Sequence, residues 1–265
     1  MDVKRFSLLC LLTLALAACR SSVVSEGMTS FTPTADSPLV VQEYPLKSGP
    51  PVETTVMELA EGTSIDRNQR LAGHASLGQG SWGCQGIVND LRARCARMGE
   101  DVLVATPTLV EPDLWFAILT RNGEEIYRVR IGQPALWSEV RALWVWDNHW
   151  ALETILHDWQ AEDGHWTFLR GQISLDGKLM NEIYNYDEAF DFSLVGGKPF
   201  FFWQKGDQVG IWYDGQEILL GYEEVPHYFC CSAGTKNPAA TMDLVTFFGR
   251  RGEQWYYVEV SLPMP

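Results

Sequence analysis

The stretch from Lys198 to Val225 constrains the fold most, because it is typical of three strands joined by two tight turns. The turns are predicted at Lys205-Gly206-Asp207 and at Asp214-Gly215, residue types that tolerate the positive φ of short hairpin loops. Between the turns, aromatic and β-branched residues are dense, as expected of a packed, pleated surface. The sequence therefore predicts an antiparallel β-meander over this stretch.

Strand and turn signals of the same kind occur before and after this meander. Turn glycines at positions 123, 177, 215 and 252 are separated by 54, 38 and 37 residues. A period of about 40 residues with several short strands per unit is typical of propeller blades. Further strands are predicted at Asp101–Val110, Leu114–Thr120, Glu125–Ile131, Val140–Trp146, His149–Leu156, His165–Ile173, Lys178–Tyr184, Leu244–Phe248 and Gln254–Val260.

The turn phrases themselves resemble a known kind of repeat. Asn122-Gly123-Glu124-Glu125-Ile126 and Asp214-Gly215-Gln216-Glu217-Ile218 are matched copies, and Asp176-Gly177-Lys178-Leu179-Met180 is a looser one. They resemble the strand–Asp-Gly–strand repeats of bacterial propeller-like lipoproteins and surface proteins, over roughly residues 112–262. The resemblance implies an all-β fold of antiparallel hairpin repeats that is β-propeller-like. A β-sandwich built of hairpins is the alternative.

One short helix is predicted ahead of these strands, at residues 89–98. Asn89 can cap it, Leu91, Cys95 and Met98 form one stripe, and Gly99 can end it.

The first residues are typical of an export signal. Lys4 and Arg5 precede an apolar run from Phe6 to Ala18, which is too short to cross a bilayer. Leu16-Ala17-Ala18-Cys19 resembles the lipobox of bacterial lipoproteins. The resemblance implies cleavage before Cys19 and attachment of palmitate-type acyl chains there, which anchor the protein to the membrane of the cell envelope.

The chain is expected to have three parts. Residues 1–18 form the lipoprotein signal peptide, residues 19–55 a flexible tether, and residues 56–265 an all-β repeat domain. The tether is rich in Ser, Thr and Pro, which disfavour regular structure. Its residues 40–46 could still dock as an edge strand.

The charge of the chain limits its partners. The formal net charge is −14. This argues against nucleic acid, which is bound through Lys and Arg. No spacing of His and Cys typical of a metal site is present, and no cofactor is expected.

Four cysteines besides Cys10 and Cys19 are disulfide candidates: Cys84, Cys95, Cys230 and Cys231. In an oxidising compartment they allow two disulfides, and the sequence leaves the pairing open between local and crossed connections. The peptide Pro226–Ser232 around the second pair interrupts the strand pattern. We interpret it as a disulfide-pinned connection between repeats, with a ligand loop as the alternative.

Tryptophans supply the candidate binding surface. Five lie within 23 residues: Trp144, Trp146, Trp150, Trp159 and Trp166. Trp144 and Trp146 share one strand face and are expected to point together, either into the core or towards solvent. If exposed, they would stack on sugar rings or anchor a protein partner.

These observations predict a membrane-anchored cell-envelope lipoprotein whose β-domain has a non-catalytic binding or scaffolding role. Its partner would be an envelope protein or a glycan, and no residue is singled out as catalytic. The alternative is an envelope enzyme that acts on glycans through paired carboxylates.

Overall fold

The computed structural model describes residues 38–52, 54–76, 82–84, 92–132, 139–158, 168–228 and 237–263. Within these residues the chain is mostly β-strand, arranged in antiparallel sheets, with two short helices. The predicted all-β class of antiparallel hairpins is therefore confirmed. The described residues form no closed barrel or propeller. The predicted signal peptide, residues 1–18, lies outside them.

The elements follow one another as successive meanders. The N-terminal part contains β1 (Val40–Pro45), β2 (Val56–Glu58), β3 (Ser64–Asp66) and α1 (Arg67–Ala72). Sheet 1 consists of β4 (Trp82–Gly83), β5 (Arg94–Met98), β6 (Asp101–Glu111), β7 (Leu114–Arg121) and β8 (Glu124–Ile131). Sheet 2 consists of β9 (Val140–Trp146), β10 (His149–Asp158), β11 (Phe168–Leu175) and β12 (Lys178–Leu179), and α2 (Met180–Tyr184) follows it.

The remaining strands complete two further sheets. Sheet 3 consists of β13 (Glu188–Val195), β14 (Lys198–Lys205), β15 (Gln208–Tyr213) and β16 (Gln216–Tyr222). Sheet 4 consists of β17 (Ala239–Ala240), β18 (Leu244–Arg251) and β19 (Gln254–Ser261), with β1 added beside β19.

The predicted hairpin turns are confirmed by their backbone angles. Asn122-Gly123, Asp176-Gly177 and Asp214-Gly215 each have two successive positive φ angles, for example 47° at Asp214 and 90° at Gly215. Two positive φ angles are characteristic of the turn that matches the right-handed twist of paired strands. These short-range signals therefore predict the strand order of each meander.

The helix predicted at residues 89–98 is wrong over residues 94–98, which form β5; residues 89–91 lie outside the described part. A disulfide joins Cys95 to Cys84, and β5 pairs with both β4 and β6. Gly99, expected to end the helix, has φ 63° in the turn to β6. The two neighbouring strands satisfy the backbone of this segment, so the helical spacing of its apolar residues does not decide its structure.

The strand predicted at Lys178–Tyr184 continues for only two residues before α2 begins. The Asn181 side chain donates to the carbonyl of Gly171 (3.0 Å) and accepts from the amide of Ile173 (3.2 Å). The helix ends at Asn185, whose φ is 55°. The Asn181 contacts fix this segment against β11, where a longer β12 was expected.

The chain joins its last sheet through β1. Residues 40–46, which we expected could dock as an edge strand, pair antiparallel with β19 from Val40↔Ser261 to Pro45↔Tyr256. The Glu43 carboxylate accepts from Arg251 Nη2 (2.8 Å) and from the Tyr222 hydroxyl, which links β1 to both sheet 3 and sheet 4. The packed part of the chain thus begins within the predicted 19–55 tether.

Sheet 3 is packed on both sides. One hydrophobic cluster joins it to sheet 4 and contains Phe190, Phe200, Phe202, Tyr222, Val245, Phe247 and Val258. A second joins it to sheet 2 and contains Ala151, Ile173, Phe192, Phe201, Trp203 and Trp212. These packed faces hold the candidate site described next.

Candidate functional site

The site begins with a β-bulge in β13. Pairing with β14 shifts between Phe190 and Ser193, so two residues face a single partner. Asp191 lies in this bulge with φ 54°, a left-handed conformation that Asp and Asn tolerate better than other side chains. A bulge of this kind removes backbone amides from the strand ladder and turns them outwards. The amides of Asp191 and Phe192 must therefore find another acceptor.

Glu153 of β10, in sheet 2, is that acceptor. Its side chain is buried, with 4% of the residue exposed. Its Oε1 accepts from the amide of Asp191 (3.0 Å), and its Oε2 accepts from the amide of Phe192 (3.1 Å). The hydroxyl of Tyr228 donates to Oε1 as well (2.5 Å). Three donors compensate this carboxylate for the loss of water, and they join sheet 2 to sheet 3.

Glu188 at the start of β13 makes the reciprocal contact. Its Oε1 accepts from the amide of Gly171 in β11 (2.7 Å) and lies 3.0 Å from His227 Nε2. A carboxylate of sheet 2 therefore holds amides of sheet 3, and a carboxylate of sheet 3 holds an amide of sheet 2. We call Glu153, Gly171, Glu188, Asp191, His227 and Tyr228 the polar junction.

The surroundings of His227 favour its positively charged form. Its Nε2 faces Glu188, and its Nδ1 lies 2.6 Å from the carbonyl of Val225. The carbonyl can only accept, so Nδ1 carries a proton, and an ionised Glu188 is satisfied when Nε2 carries one as well. Burial lowers the pKa of His227, but the hydrogen bond and the charge of Glu188 outweigh burial, and the pKa lies above its usual value. Glu188 and His227 thus form a partly buried pair in which the charged form of the histidine is favoured.

The residues of the polar junction are closely packed. The His227 ring stacks on Phe190 with centroids 3.5 Å apart, and the Arg141 guanidinium lies 4.9 Å from the centre of the Tyr228 ring. A Cβ atom on Gly171 would lie 2.4 Å from the carbonyl oxygen of Ala189 and 2.9 Å from the Tyr228 hydroxyl. Only glycine therefore lets β11 approach β13 this closely.

Asp191 differs from the other two carboxylates. Its Oδ2 is buried and has no hydrogen-bond partner among the described residues. Burial, followed by the negative charge of Glu153, raises the pKa of Asp191 well above its usual value. The polar junction thus places two different acids side by side. Asp191 has an oxygen without a hydrogen-bond partner among the described residues, whereas Glu153 accepts three hydrogen bonds.

The polar junction adjoins an aromatic group. The ring of Phe192 lies 5.9 Å from Trp144 and 5.6 Å from Trp146, and both tryptophans are partly buried. We call Trp144 and Trp146 the tryptophan pair. They share the face of β9 that meets sheet 3, as the strand period predicts. The amide of Phe192 is bound by Glu153, so the junction fixes the residue against which the pair packs.

The five predicted tryptophans do not form one surface. Trp150 is buried and packs on the opposite face of sheet 2, 5.4 Å from Tyr127. Trp159 and Trp166 lie outside the described residues. Within the described part, the candidate binding surface is therefore reduced to Trp144 and Trp146.

A second aromatic group lies in the same hydrophobic cluster. Tyr184, Tyr186 and Trp203 form a column of nearly parallel rings, with centroids 5.3 Å and then 5.2 Å apart. Tyr186 and Trp203 are buried, whereas Tyr184 is only partly buried. The Tyr186 hydroxyl donates to Glu217 (2.8 Å).

Of the cysteines predicted to form disulfides, one pair lies within the described residues. Cys84 and Cys95 form a disulfide, as the local pairing predicts. Cys19, the predicted lipidation site, and Cys230 and Cys231 lie outside the described residues.

Within the described ranges, no group of three or more His, Cys, Asp or Glu side chains is placed to hold a metal ion. None of the helices in those ranges has the length and apolar character needed to cross a bilayer.

Comparisons with known proteins add no family. A scan against protein-family models finds no match, and a search of curated proteins finds none either. The geometry of the site is therefore what bears on the function.

Sequence reasoning missed the carboxylates at the centre of this site. Glu153 gave one usable signal, since it lies between Ala151 and Ile155 at every second position of a strand, on a face that is buried. A charged residue at a core-facing position predicts a buried polar contact. Its partners are up to 75 residues away in the chain, and no local pattern indicates them.

Proposed function

We propose that this protein is a lipid-anchored protein of the bacterial cell envelope, with a non-catalytic β-domain that binds a partner. The observation that carries the proposal is the use of the buried carboxylates. Glu153 and Glu188 bind the protein's own amides, His227 and Tyr228. They are thereby occupied in joining two sheets, and a general acid or base must instead face a substrate.

The anchor would act through β1. Cys19 and Leu39 are 20 positions apart, a chain length that spans at most about 70 Å when fully extended. The tether would then enter the domain at β1, which is held by β19 and by the Glu43–Arg251 ion pair. This attachment supports a domain displayed at some distance from the membrane surface.

The tryptophan pair is the proposed contact surface. Both residues are partly exposed, although the indole nitrogen of Trp144 is buried, and Phe192 packs against their rings. Indoles of this kind stack on the apolar faces of sugar rings and also anchor protein partners. With a net charge of −14, the chain favours a neutral or cationic partner, such as an envelope glycan or a basic protein surface.

We also propose that the four sheets are blade-like units of a propeller-like arrangement, with a β-sandwich as the alternative. Two features support this: sheets 2 and 3 are each four-stranded meanders in chain order, and an N-terminal strand completes the last sheet. In propellers the first and last strands commonly share one sheet, which holds the ends of the chain together.

A glycan-acting enzyme is the second candidate. Asp191 favours it, because a buried carboxyl with a raised pKa beside another carboxylate is typical of a general acid. In that case Asp191 would protonate a leaving oxygen, and Glu153 would have to exchange its present partners for a substrate.

The anchor is tested by lipid labelling of the full chain. Expressed in a bacterial host with labelled palmitate, the protein should carry the label and sediment with membranes. Cys19→Ala should abolish both, whereas Cys10→Ala, a change inside the predicted signal peptide, should alter neither. Label that persists in Cys19→Ala would refute the assignment of this anchor.

Binding is tested with the full lipidated chain in nanodiscs, using chitohexaose, maltohexaose and anionic heparin as probes. We expect one neutral glycan to bind and Trp146→Ala to weaken binding by about tenfold. Trp150→Phe, on the other face of sheet 2, should leave the affinity unchanged. Cleavage products that disappear in Asp191→Asn would favour the enzyme. An unchanged affinity in Trp146→Ala would contradict the proposed surface.

A further inference from the structure

Asp191 is held where an ionised carboxylate is poorly accommodated. Its backbone amide is bound by Glu153, so its side chain cannot move far from that negative charge while the bulge is closed. Its Oδ2 is buried without a hydrogen-bond partner among the described residues. Two like charges within one buried site repel each other, and the neutral form of one of them is favoured.

Four charged groups from the surrounding elements act on this carboxyl. Glu153 from β10 and Glu188 from β13 disfavour its ionised form. His227, in the segment after β16, and Arg141 from β9 favour the ionised form. Tyr228 lies beside them, and burial raises its pKa far above the usual value, so it stays neutral. The positive charge of His227 is already matched by Glu188, and Arg141 is exposed.

We propose that Asp191 is a proton-dependent element that regulates the tryptophan pair. With the acid protonated, the bulge closes on Glu153, and Phe192 is fixed against Trp144 and Trp146. When the proton leaves to solvent, the carboxylate repels Glu153, and the amides of Asp191 and Phe192 separate from it. Phe192 then loses its fixed position and the tryptophan pair loses its support.

This inference rests on the proposed function only in treating the tryptophan pair as the contact surface. The structural part of the inference is independent of any ligand. It predicts a tighter junction in mildly acidic solution and a looser one as the pH rises, and binding through the pair should follow the same direction.

The test is amide hydrogen exchange of the full chain, read by mass spectrometry on peptides that cover residues 188–195. After correction for intrinsic exchange rates, we expect these amides to be protected about tenfold more at about pH 5 than at about pH 9. Peptides from β18, in sheet 4, should show no such difference. No ligand is needed, so the outcome is separate from that of the binding assay.

Two variants isolate the Asp191 carboxyl. Asp191→Asn keeps a residue type that tolerates positive φ, and Asp191→Gly removes the side chain altogether. In both variants the difference in protection between the two pH values should fall to the part that His227 contributes. Glu100→Gln, an exposed acid in the β5–β6 turn, should behave like the unmodified protein. Protection independent of pH in the unmodified protein, or an unchanged pH dependence in both Asp191 variants, would overturn the proposal.

Discussion

Sheet 3 meets its two neighbours through different chemistry. Towards sheet 4 the contact is made by rings, as where Phe247 lies 5.0 Å from Phe202 and 5.6 Å from Tyr222. We call this contact the aromatic junction. Towards sheet 2, the polar junction adds two carboxylates, the buried Glu153 and the partly buried Glu188, each bound to at least one backbone amide of the other sheet. Apolar clusters join sheet 3 to both neighbours, and hydrogen bonds such as that from Arg251 Nε to the carbonyl of Gly221 (3.1 Å) also join it to sheet 4. The difference is that carboxylates bound to backbone amides are added on the side of sheet 2.

The two junctions supply different properties. Apolar burial is non-directional and accommodates small shifts, so the aromatic junction contributes mainly stability. Buried carboxylates add little net stability, since desolvation offsets much of their attraction. They do select one geometry, because a displaced bulge would leave Glu153 and two amides without partners. We therefore expect the polar junction to fix the relative position of sheets 2 and 3.

The largest effect is expected at the aromatic junction. Phe247→Ala should lower the free energy of unfolding by about 3–5 kcal/mol, because it leaves a cavity among fully buried rings. The loss should be the same at about pH 6 and about pH 8, since no titrating contact is removed. Urea denaturation measures both values, and Ile126→Ala, at a 42% exposed position, is the control. A loss that depends on pH would show that a titrating contact also contributes to the aromatic junction.

The next effect concerns the central carboxylate of the polar junction. Glu153→Gln keeps an acceptor for Asp191 and Tyr228 but turns an amide group towards the Phe192 amide, which places donor against donor. We expect a loss of about 2–3 kcal/mol, measured by urea denaturation. Glu253→Gln, an exposed acid in the β18–β19 turn, should have no effect. Equal stability of the two variants would show that Glu153 does not join the sheets.

A smaller effect is expected where the two sheets approach most closely. Gly171→Ala places a Cβ atom 2.4 Å from the Ala189 carbonyl oxygen, so β11 and β13 must separate. This should cost about 1–3 kcal/mol in chemical denaturation. Gly73→Ala is the matched control, because its nearest atom would lie at 3.9 Å and its φ is −76°. If both substitutions are tolerated equally, the close approach of the sheets is not required.

The smallest effect is the pH dependence carried by His227. Its pKa is raised in the folded state, so its contribution is fully present below about pH 6.5 and is lost as the pH rises through the folded value. The sign is the same as for Asp191. Thermal melting against pH should show stability falling with rising pH, and His227→Gln should flatten part of this slope. A slope unchanged in His227→Gln would show that His227 does not contribute to the pH dependence of stability.

Local sequence signals were enough to predict most strands of sheets 2 and 3. The Asp-Gly and Asn-Gly turns require only two residues with positive φ, which adjacent positions supply. The strand β13 was missed because its bulge breaks the alternation around Asp191. The segment 94–98 was predicted as helix because its apolar spacing is helical, whereas β4 and β6 determine its conformation.

The polar junction could not be predicted, because its contacts are non-local. Glu153 meets amides 38 and 39 residues further along the chain, and Tyr228 is 75 residues away. The peptide that contains His227 and Tyr228 was recognised as an interruption of the strand pattern, interpreted as a connection or a ligand loop. Its residues 227 and 228 instead bind the two carboxylates, a role that depends on how the sheets approach one another.

The most direct test of the account is a double-mutant cycle between Glu153 and Tyr228. Urea denaturation of the unmodified protein, Glu153→Leu, which removes the acceptor, Tyr228→Phe and the double variant gives the coupling energy between the two side chains. The account predicts a coupling of about 1.5 kcal/mol or more, as expected of a buried hydrogen bond to a charged group. Effects that add to within about 0.5 kcal/mol would contradict it, because the carboxylate and the hydroxyl would then act independently.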